Sequence, residues 1–287
     1  KIYLPLMLLD KIEDILLCPL CGVGSIKVIN NKIVASCCNT EFKIEDKQII
    51  IFDNTISSTP EAISRNNQAE GYLMHSKFAT QISRMNRWIS NVPQELLDGI
   101  ILDLGCGPGP STEMLLEIGA RNILSADFSI NSLRVNKDIC QYYEDKPIYM
   151  LQDIRNIKLR ESSISVLFMA DFLQHIGDEN ARDNFLNTAM KSLIPGGCFF
   201  LSFFNINIKN YLKNDIVGSF SSGMIEYERL DYKKVISSFP NNIIVDKVVP
   251  MNISHHALFD RLLSALPFAD LFSRMIIVQG RKMFDDE

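Results

Sequence analysis

The strongest pattern in the chain is an apolar run that ends in closely spaced glycines. Residues Ile100–Leu104 have strand character. Three glycines follow at intervals of two: Gly105, Gly107 and Gly109. One helix face is then marked by Met114, Leu115 and Ile118. Glycine is required where the backbone takes a positive φ or comes too close to a ligand for a Cβ atom. The pattern therefore predicts a strand, a tight turn and a helix whose first N–H groups face a ligand.

Apolar strand patterns recur at six later places. They cover residues 122–126, 147–151, 163–171, 198–204, 243–249 and 275–279. Residues 163–171 are apolar almost throughout, so we expect this strand to be buried on both faces. Ser129 and Asp178 can each cap a helix between strands. Strands that alternate with helical patterns predict an α/β fold.

Three segments lie outside this alternation. Residues 61–98 are mixed and mostly helical in pattern, after a polar linker that ends at Pro60. Residues 205–230 show little periodicity, which is typical of a lid or a binding loop in a compact domain. In residues 252–272, Ser254 can cap a helix that carries Leu258, Leu262 and Leu266.

The amino-terminal residues 1–57 are interpreted as a small separate unit. Cys18 and Cys21 form a C-x-x-C knuckle. Two short strand patterns, 25–29 and 32–36, flank an Asn-Asn turn that suits a hairpin, and a further strand pattern covers 47–52. Cys37 and Cys38 follow the hairpin. A unit this small usually needs a staple such as a metal ion.

The amino-acid composition of the chain excludes some classes of partner. Of the 287 residues, 47% are apolar, and 29 basic residues against 34 acidic ones leave a net charge of −5. This balance offers no general attraction to nucleic acid or to an anionic membrane. The seven cysteines show no paired framework, which favours a reducing compartment. No stretch approaches the roughly 18 apolar residues that span a bilayer. We therefore expect a cytoplasmic protein without a membrane partner.

The glycine turn carries a family resemblance. A dinucleotide fingerprint would place its third glycine at position 110, which is Pro110. The spacing is G-x-G-x-G instead, with Asp103 two residues before the first glycine. This arrangement resembles the first motif of class I S-adenosylmethionine (SAM) methyltransferases, and the resemblance covers about residues 60–287. It implies SAM as cofactor and a Rossmann-like, seven-stranded sheet whose last two strands form an antiparallel pair.

The same resemblance implies which residues meet SAM. Asp127, about 20 residues past the turn, would accept hydrogen bonds from ribose hydroxyls, and Phe128 would lie against the adenine. Asp153 is expected at the adenine amino group, with Ile154 on the ring face. The expected cofactor-binding residues are Tyr72, Asp103, Gly105, Cys106, Gly107, Gly109, Asp127, Phe128, Asp153, Ile154 and Ala170.

A second resemblance concerns the amino-terminal unit. Residues 9–21, together with 42–46, resemble the Trm-type zinc-ribbon family, whose members activate methyltransferases. Zinc takes four tetrahedral ligands, commonly from two C-x-x-C knuckles. The family pattern places the third ligand at Ala35, so this ribbon is degenerate and Cys37 is the available substitute. The candidate zinc ligands are Cys18, Cys21, Cys37 and Cys38, and the alternative is a metal-free remnant held by packing.

Three functions remain open. The first is O-methylation of a small hydroxylated molecule, such as a natural product or a sugar. The second is N-methylation of guanine in ribosomal RNA with RNA recognition by the ribbon, although residues 1–57 carry six lysines and seven acids and lack a basic excess. The third is a non-catalytic SAM-binding partner subunit.

The O-methylation hypothesis names candidate catalytic residues. A hydroxyl acceptor profits from a general base near neutral pH, and histidine is the usual choice. His175 follows the fourth strand, and His255 and His256 lie in the later insertion. A structural role is open for each. The segments 205–230 and 252–272 are expected to hold the acceptor.

Overall fold

An eleven-stranded sheet runs through the protein. The computed structural model describes residues 6–29, 32–53, 55–73, 89, 91–254 and 257–284. The strands lie in the order β1-β2-β3-β4-β7-β6-β5-β8-β9-β13-β12. Their bounds are β1 Ile26–Ile29, β2 Lys32–Ala35, β3 Glu41–Glu45, β4 Ile49–Ile51, β5 Ile100–Leu104, β6 Asn122–Asp127, β7 Ile148–Leu151, β8 Ile164–Met169, β9 Leu193–Phe204, β12 Ile243–Met251 and β13 Met275–Lys282. A separate hairpin contains β10 Val217–Phe220 and β11 Ile225–Glu228.

Helices connect most of the parallel strands. They are α1 Leu6–Ile15, α2 Pro60–Leu73, α3 Pro110–Glu117, α4 Ile130–Cys140, α5 Glu179–Ser192, α6 Ile208–Leu212, α7 Tyr232–Ser237 and α8 Ala257–Leu263. Ser129 and Asp178 cap α4 and α5, as their positions in the sequence predict. None of the helices in the described ranges is long and apolar enough to cross a membrane.

The seven central and carboxy-terminal strands form the expected α/β sheet. β7, β6, β5, β8 and β9 are parallel neighbours, whereas β13 is antiparallel to both β9 and β12. Every residue of β8 is buried, which agrees with its nearly continuous apolar sequence. Because these five strands run the same way, their carboxyl ends meet at one edge, where α/β proteins bind ligands.

The amino-terminal region is joined to this sheet, which differs from the separate unit expected for residues 1–57. β1, β2, β3 and β4 form an antiparallel meander, and β4 then pairs in parallel with β7. Phe42 and Phe52 meet edge to face, with ring centroids 4.9 Å apart. Ile12 and Ile26 belong to the same buried cluster as Leu124 of β6. The all-isoleucine strand β4 thus pairs with the edge of β7 that the other strands leave open, and the two regions share one core.

The two segments that follow β9 and β12 both contain regular structure. Residues 205–230 contain α6 and the β10–β11 hairpin, with the two strands registered from Val217↔Glu228 to Phe220↔Ile225. In residues 252–272 the helix is present as α8. Leu262 is 61% exposed on this helix, whereas Leu266, expected on the same helix, lies beyond its end at Leu263.

Candidate functional site

The glycine turn after β5 has the geometry that its spacing predicts. Gly105, Gly107 and Gly109 all have positive φ, at 68°, 52° and 107°. A Cβ on Gly105 would lie 2.8 Å from the Phe172 ring, and one on Gly109 would lie 2.6 Å from Asn136. A Cβ on Gly107 would meet nothing within 4 Å. Packing therefore requires the outer two glycines, whereas the middle one faces open space where a ligand fits.

Asp103 holds the turn from beneath. Its Oδ2 accepts hydrogen bonds of 2.7 Å from both Ser111 Oγ and Thr112 Oγ1 at the start of α3. Its Oδ1 is buried and has no hydrogen-bond partner in the described part of the chain. Burial raises the pKa of Asp103 to about 7. Asp103 ties β5 to α3 and does not line the cleft above the turn.

Asp127 presents its carboxylate at the end of β6. Oδ2 accepts a 2.9 Å hydrogen bond from Gly107 N, and Oδ1 accepts one of 2.8 Å from Ser129 N. Burial raises the pKa of this carboxyl group, while the two backbone donors oppose that shift. Each carboxylate oxygen keeps a further lone pair, so Asp127 can accept hydrogen bonds from a sugar diol beside Gly107.

The expected cofactor residues converge on one cleft. Its empty volume is about 1140 Å³, part of it open to solvent. Eight of the eleven line it: Gly105, Cys106, Gly107, Asp127, Phe128, Asp153, Ile154 and Ala170. Asp103 and Gly109 support the turn from behind. The backbone of Tyr72 lies in α2, but its side chain is outside what the structure describes.

Asp153 is engaged by a neighbour. Arg155 Nε donates to Asp153 Oδ1 at 2.8 Å, and Arg155 Nη2 donates to Oδ2 at 2.7 Å. The Asp153 side chain also caps the short turn at residues 154–156. The ion pair raises the pKa of Arg155, and both side chains line the cleft. The acid expected at the adenine amino group is therefore oriented by a guanidinium.

The opposite wall comes from α2, and the sequence analysis did not single out its residues there. Glu61, Arg65 and Gln68 line the cleft. Their spacing of four and then three residues places them on one helix face. Burial raises the pKa of Glu61, against the opposing charges of Arg65 and Arg155. Polar residues at this spacing within the mostly helical pattern of residues 61–98 were the available signal.

His175 connects the two walls. Arg65 Nη2 lies 3.2 Å from His175 Nε2, and His175 Nδ1 lies 2.7 Å from the carbonyl oxygen of Glu226 in β11. Because guanidinium only donates, Nε2 accepts, and Nδ1 carries the proton and donates to Glu226. Burial lowers the pKa of His175 to about 4. The ring is thus neutral and uses both nitrogens in structural hydrogen bonds.

The hairpin packs beside the cleft, where it contacts His175 and α2. Phe220 and Tyr227 stack with centroids 4.6 Å apart, and each meets Phe204 of β9 edge to face. Gln68 Nε2 donates to Ser221 Oγ at 2.5 Å, which joins α2 to the hairpin. His255 and His256, the other candidate bases, lie outside the described residues.

The candidate zinc ligands form a second cluster. The Sγ atoms of Cys18, Cys21 and Cys37 all lie within 4.8 Å of one another. Cys21 Sγ is 3.2 Å from Cys37 Sγ, and Cys38 Sγ is 4.0 Å from Cys18 Sγ. Hydrogen bonds from the Gly24 and Val23 backbone lower the pKa of Cys21 to about 7. Three thiols therefore converge, with the fourth beside Cys18.

Comparison with known proteins finds similarity to methyltransferases and to a related synthase. Residues 102–201 match the family model described as "Methyltransferase domain". The chain is 31% identical over 139 residues to a carboxy-S-adenosyl-L-methionine synthase of Shewanella halifaxensis, covering 47% of this chain and 52% of that protein. It is 23% identical over 145 residues to a ubiquinone biosynthesis O-methyltransferase of Methylobacterium, covering 50% and 57%. The chain thus spans little more than half the length of these curated relatives.

Solved structures agree on the fold. A SAM-dependent methyltransferase from Methanosarcina mazei superposes with a TM-score of 0.54 at 16% sequence identity, covering 69% of this chain and 97% of that one. At this identity the likeness concerns architecture alone. The chain therefore has an α/β, Rossmann-like fold of the kind found in methyltransferases, and residues 102–201 are similar to a methyltransferase domain.

Proposed function

We propose that this protein transfers the methyl group of SAM to a hydroxyl oxygen of a small acceptor. The observation that carries the cofactor part is the Asp127 carboxylate, held by the Gly107 and Ser129 N–H groups beside the one turn glycine that faces open space. The acceptor part is supported by the similarity to an O-methyltransferase and by the aromatic hairpin, which contacts His175 and Gln68 beside the cleft.

Different residues of the cleft would bind different parts of SAM. Asp127 would hold the ribose diol, and Phe128 and Ile154 would pack against the adenine. Gly107 would leave room for the methionine part of the cofactor. When bound, SAM supplies an electrophilic methyl group on its sulfonium. The protein then has to align the acceptor oxygen in line with that group and remove its proton.

Asp171 is our candidate for the group that accepts this proton. It lines the cleft directly after Ala170, and its carboxylate accepts a hydrogen bond from Ser202 Oγ. His175, the candidate of the sequence analysis, has its Nε2 lone pair directed at Arg65. We therefore assign His175 to positioning, and Asp171 to accepting the proton of the hydroxyl group. A general base contributes typically 10²–10⁴-fold to the rate.

The experiment is a methyl-transfer assay with radiolabelled SAM and three pools: small metabolites, RNA and protein. We expect label in the metabolite pool, as an oxygen-linked methyl group by mass spectrometry. Asp171→Asn should reduce the rate by about 10²-fold or more and leave SAM affinity unchanged. Methylated guanine in RNA would replace this proposal with the ribosomal-RNA function. No transfer to any pool, together with intact SAM binding, would favour the non-catalytic partner subunit.

A second candidate is modification of the cofactor itself. The curated relative with 31% identity is a carboxy-S-adenosyl-L-methionine synthase. Arg65 and Arg155 place two guanidinium groups in the cleft, which suits a carboxylate ligand. Mass spectrometry of the cofactor after incubation with a metabolite extract separates the two candidates, because only this one changes the mass of SAM without a methylated acceptor.

The proposal also includes a zinc ion bound by Cys18, Cys21, Cys37 and Cys38. Bonds of about 2.3 Å to a tetrahedral zinc would place the sulfur atoms about 3.8 Å apart. The separations of 3.2 Å and 4.0 Å in the structure lie on either side of this value. Metal analysis should find one equivalent in the purified protein and none in Cys21→Ser. A metal-free wild-type protein with the same thermal stability before and after zinc addition would favour the remnant held by packing.

A further inference from the structure

One segment on the acceptor side exposes an unusual run of large apolar side chains. The exposed residues of this run are Phe259, Leu262, Leu266, Phe268, Leu271 and Phe272. Phe268 is 72% exposed and has a left-handed backbone, with φ 64°, which a bulky residue rarely adopts. An exposed apolar cluster of this size marks an interaction surface.

The acids of this segment are turned away from that surface. Asp260 is buried and accepts hydrogen bonds from the N–H groups of Asn252 and Ile253, at 3.2 Å and 2.7 Å. Asp270 Oδ2 accepts a 3.1 Å hydrogen bond from Tyr232 Oη. Negative charge is therefore neutralised or held inward, while the aromatic and leucine side chains face solvent.

A second group of exposed apolar residues lies at the same edge of the sheet. The strand register pairs Met275 with both Phe204 and Met251, so the two insertions leave the sheet side by side. Asn205 Nδ2 donates to the carbonyl oxygen of Asp270 at 2.8 Å, which ties the insertions together. The second group contains Ile208, Tyr211, Leu212, Val217, Phe220 and Met224. We call these two groups together the apolar patch.

Lysines surround the patch. Lys209 and Lys213 flank Tyr211 and Leu212 on α6, and Lys233 and Lys234 begin α7. All four are exposed, and within the described ranges none forms an ion pair. A helical turn that places tyrosine and leucine between lysines is typical of the interface between a bilayer and water.

The charge of this side differs from that of the rest of the chain. Residues 205–234 carry five basic and four acidic residues, and residues 252–274 carry two of each. Their sum is therefore +1 in a chain whose net charge is −5. Of these acids, Asp215 and Glu228 are ion-paired with arginines. The four lysines outnumber the two exposed acids without an ion pair in the described ranges, Glu226 and Asp231, so the surface around the patch has a small positive excess that complements an anionic partner.

We propose that the apolar patch docks this protein on the surface of an anionic lipid bilayer. The phenylalanine and leucine side chains enter the boundary between headgroups and acyl chains, and the four lysines contact the phosphates. The patch lies at the edge of the sheet where the cleft opens. Docking there turns the mouth of the cleft toward the membrane, so an amphiphilic acceptor reaches it without crossing water. The docking itself does not depend on the proposed methyl transfer.

Vesicle flotation tests the proposal. The full chain is mixed with vesicles of phosphatidylcholine containing about 30% phosphatidylglycerol, or with phosphatidylcholine alone. We expect binding to the anionic vesicles, weakened by salt because lysine–phosphate attraction is screened. Lys209→Glu with Lys213→Glu should weaken binding on the order of tenfold or more. Leu262→Ser with Phe268→Ser and Phe272→Ser should weaken it at least tenfold on both kinds of vesicle.

A matched control changes equally exposed apolar residues elsewhere. Leu20→Ser with Val23→Ser and Tyr142→Ser removes side chains that are 62%, 81% and 86% exposed and lie outside the patch. This variant should float like the wild type, and SAM titration shows that each variant is folded. Absence of flotation with both vesicle types would overturn the proposal. So would a wild-type dimer in sedimentation, lost in the Phe268 variant and unaffected by lipid, because the patch would then join two copies of this chain.

Discussion

The two sides of the cleft are built in opposite ways. On the cofactor side, Asp103 and Asp127 are buried acids that accept backbone or hydroxyl hydrogen bonds within short stretches of chain. On the acceptor side, two insertions expose their apolar residues and are held by hydrogen bonds between distant segments, such as Asn205 to Asp270. The cofactor side is a local construction, whereas the proposed acceptor side is assembled from exposed segments that leave the edge of the sheet.

The largest expected effect concerns Asp103, whose folded pKa of about 7 lies above its ordinary value of 3.8. Between these values the folded protein holds a proton that the unfolded chain has lost. The contribution of Asp103 to the free energy of unfolding is therefore full below the lower value. It is lost as pH rises through about 7, by about 4 kcal/mol in total.

Urea unfolding of wild type and Asp103→Asn across this pH range measures it. The difference in unfolding free energy, wild type minus variant, should fall as pH rises. Asp138→Asn, at an exposed position of α4, is the control and should run parallel to wild type. Parallel curves for Asp103→Asn as well would mean that Asp103 is ionised in the folded protein below neutral pH.

His175, between the two sides, should show the opposite sign. Its folded pKa of about 4 lies below the ordinary 6.5, so the folded protein binds fewer protons in between. Its contribution to the free energy of unfolding is present above about pH 6.5. It is lost as pH falls through about 4, by about 3 kcal/mol in total. His175→Gln should remove this acid sensitivity in the same urea series. If the free energy of unfolding falls at low pH by the same amount in the variant as in wild type, the ring is solvated and free of Arg65.

Asp127→Ala tests the cofactor side directly. The variant leaves the ribose diol without its charged acceptor and should weaken SAM binding by about 1.5–3 kcal/mol. Isothermal calorimetry gives the affinity, with Asp138→Ala as the matched control that should bind SAM like wild type. Equal affinities for wild type and Asp127→Ala would show that Asp127 does not bind the cofactor. The contrast between the two sides of the cleft would then no longer hold.

The smallest effect is expected where the acceptor side touches α2. Ser221→Ala removes an exposed hydrogen bond from Gln68, which contributes only about 1 kcal/mol. SAM affinity by calorimetry should change less than about threefold. A change above tenfold would mean that the hairpin holds α2 against the cofactor, and that the two sides are more strongly coupled than their contacts indicate.

Much of the cofactor side could be predicted from the sequence because its signals are local. Gly105 and Asp127 stand directly after apolar strand patterns, and the carboxyl ends of parallel strands share an edge. The α2 wall could not be predicted in the same way. Glu61 and Arg65 look like ordinary exposed polar residues, and only the docking of the helix places them, half-buried, beside His175. The alternation of apolar and polar residues also failed in 205–230, because the strands of the β10–β11 hairpin are short and mostly exposed.

The sequence by itself determined the strand–turn–helix unit around Asp103 and the acids at the ends of the strands, since strand period and glycine spacing are properties of short segments. Only the tertiary structure decided three other features. It paired β4 with β7, occupied the Nε2 lone pair of His175 with Arg65, and brought two insertions that are separated by residues 231–251 into one apolar patch. Each of these depends on which distant segments meet, and burial and hydrogen-bond pairing become definite only after the chain has folded.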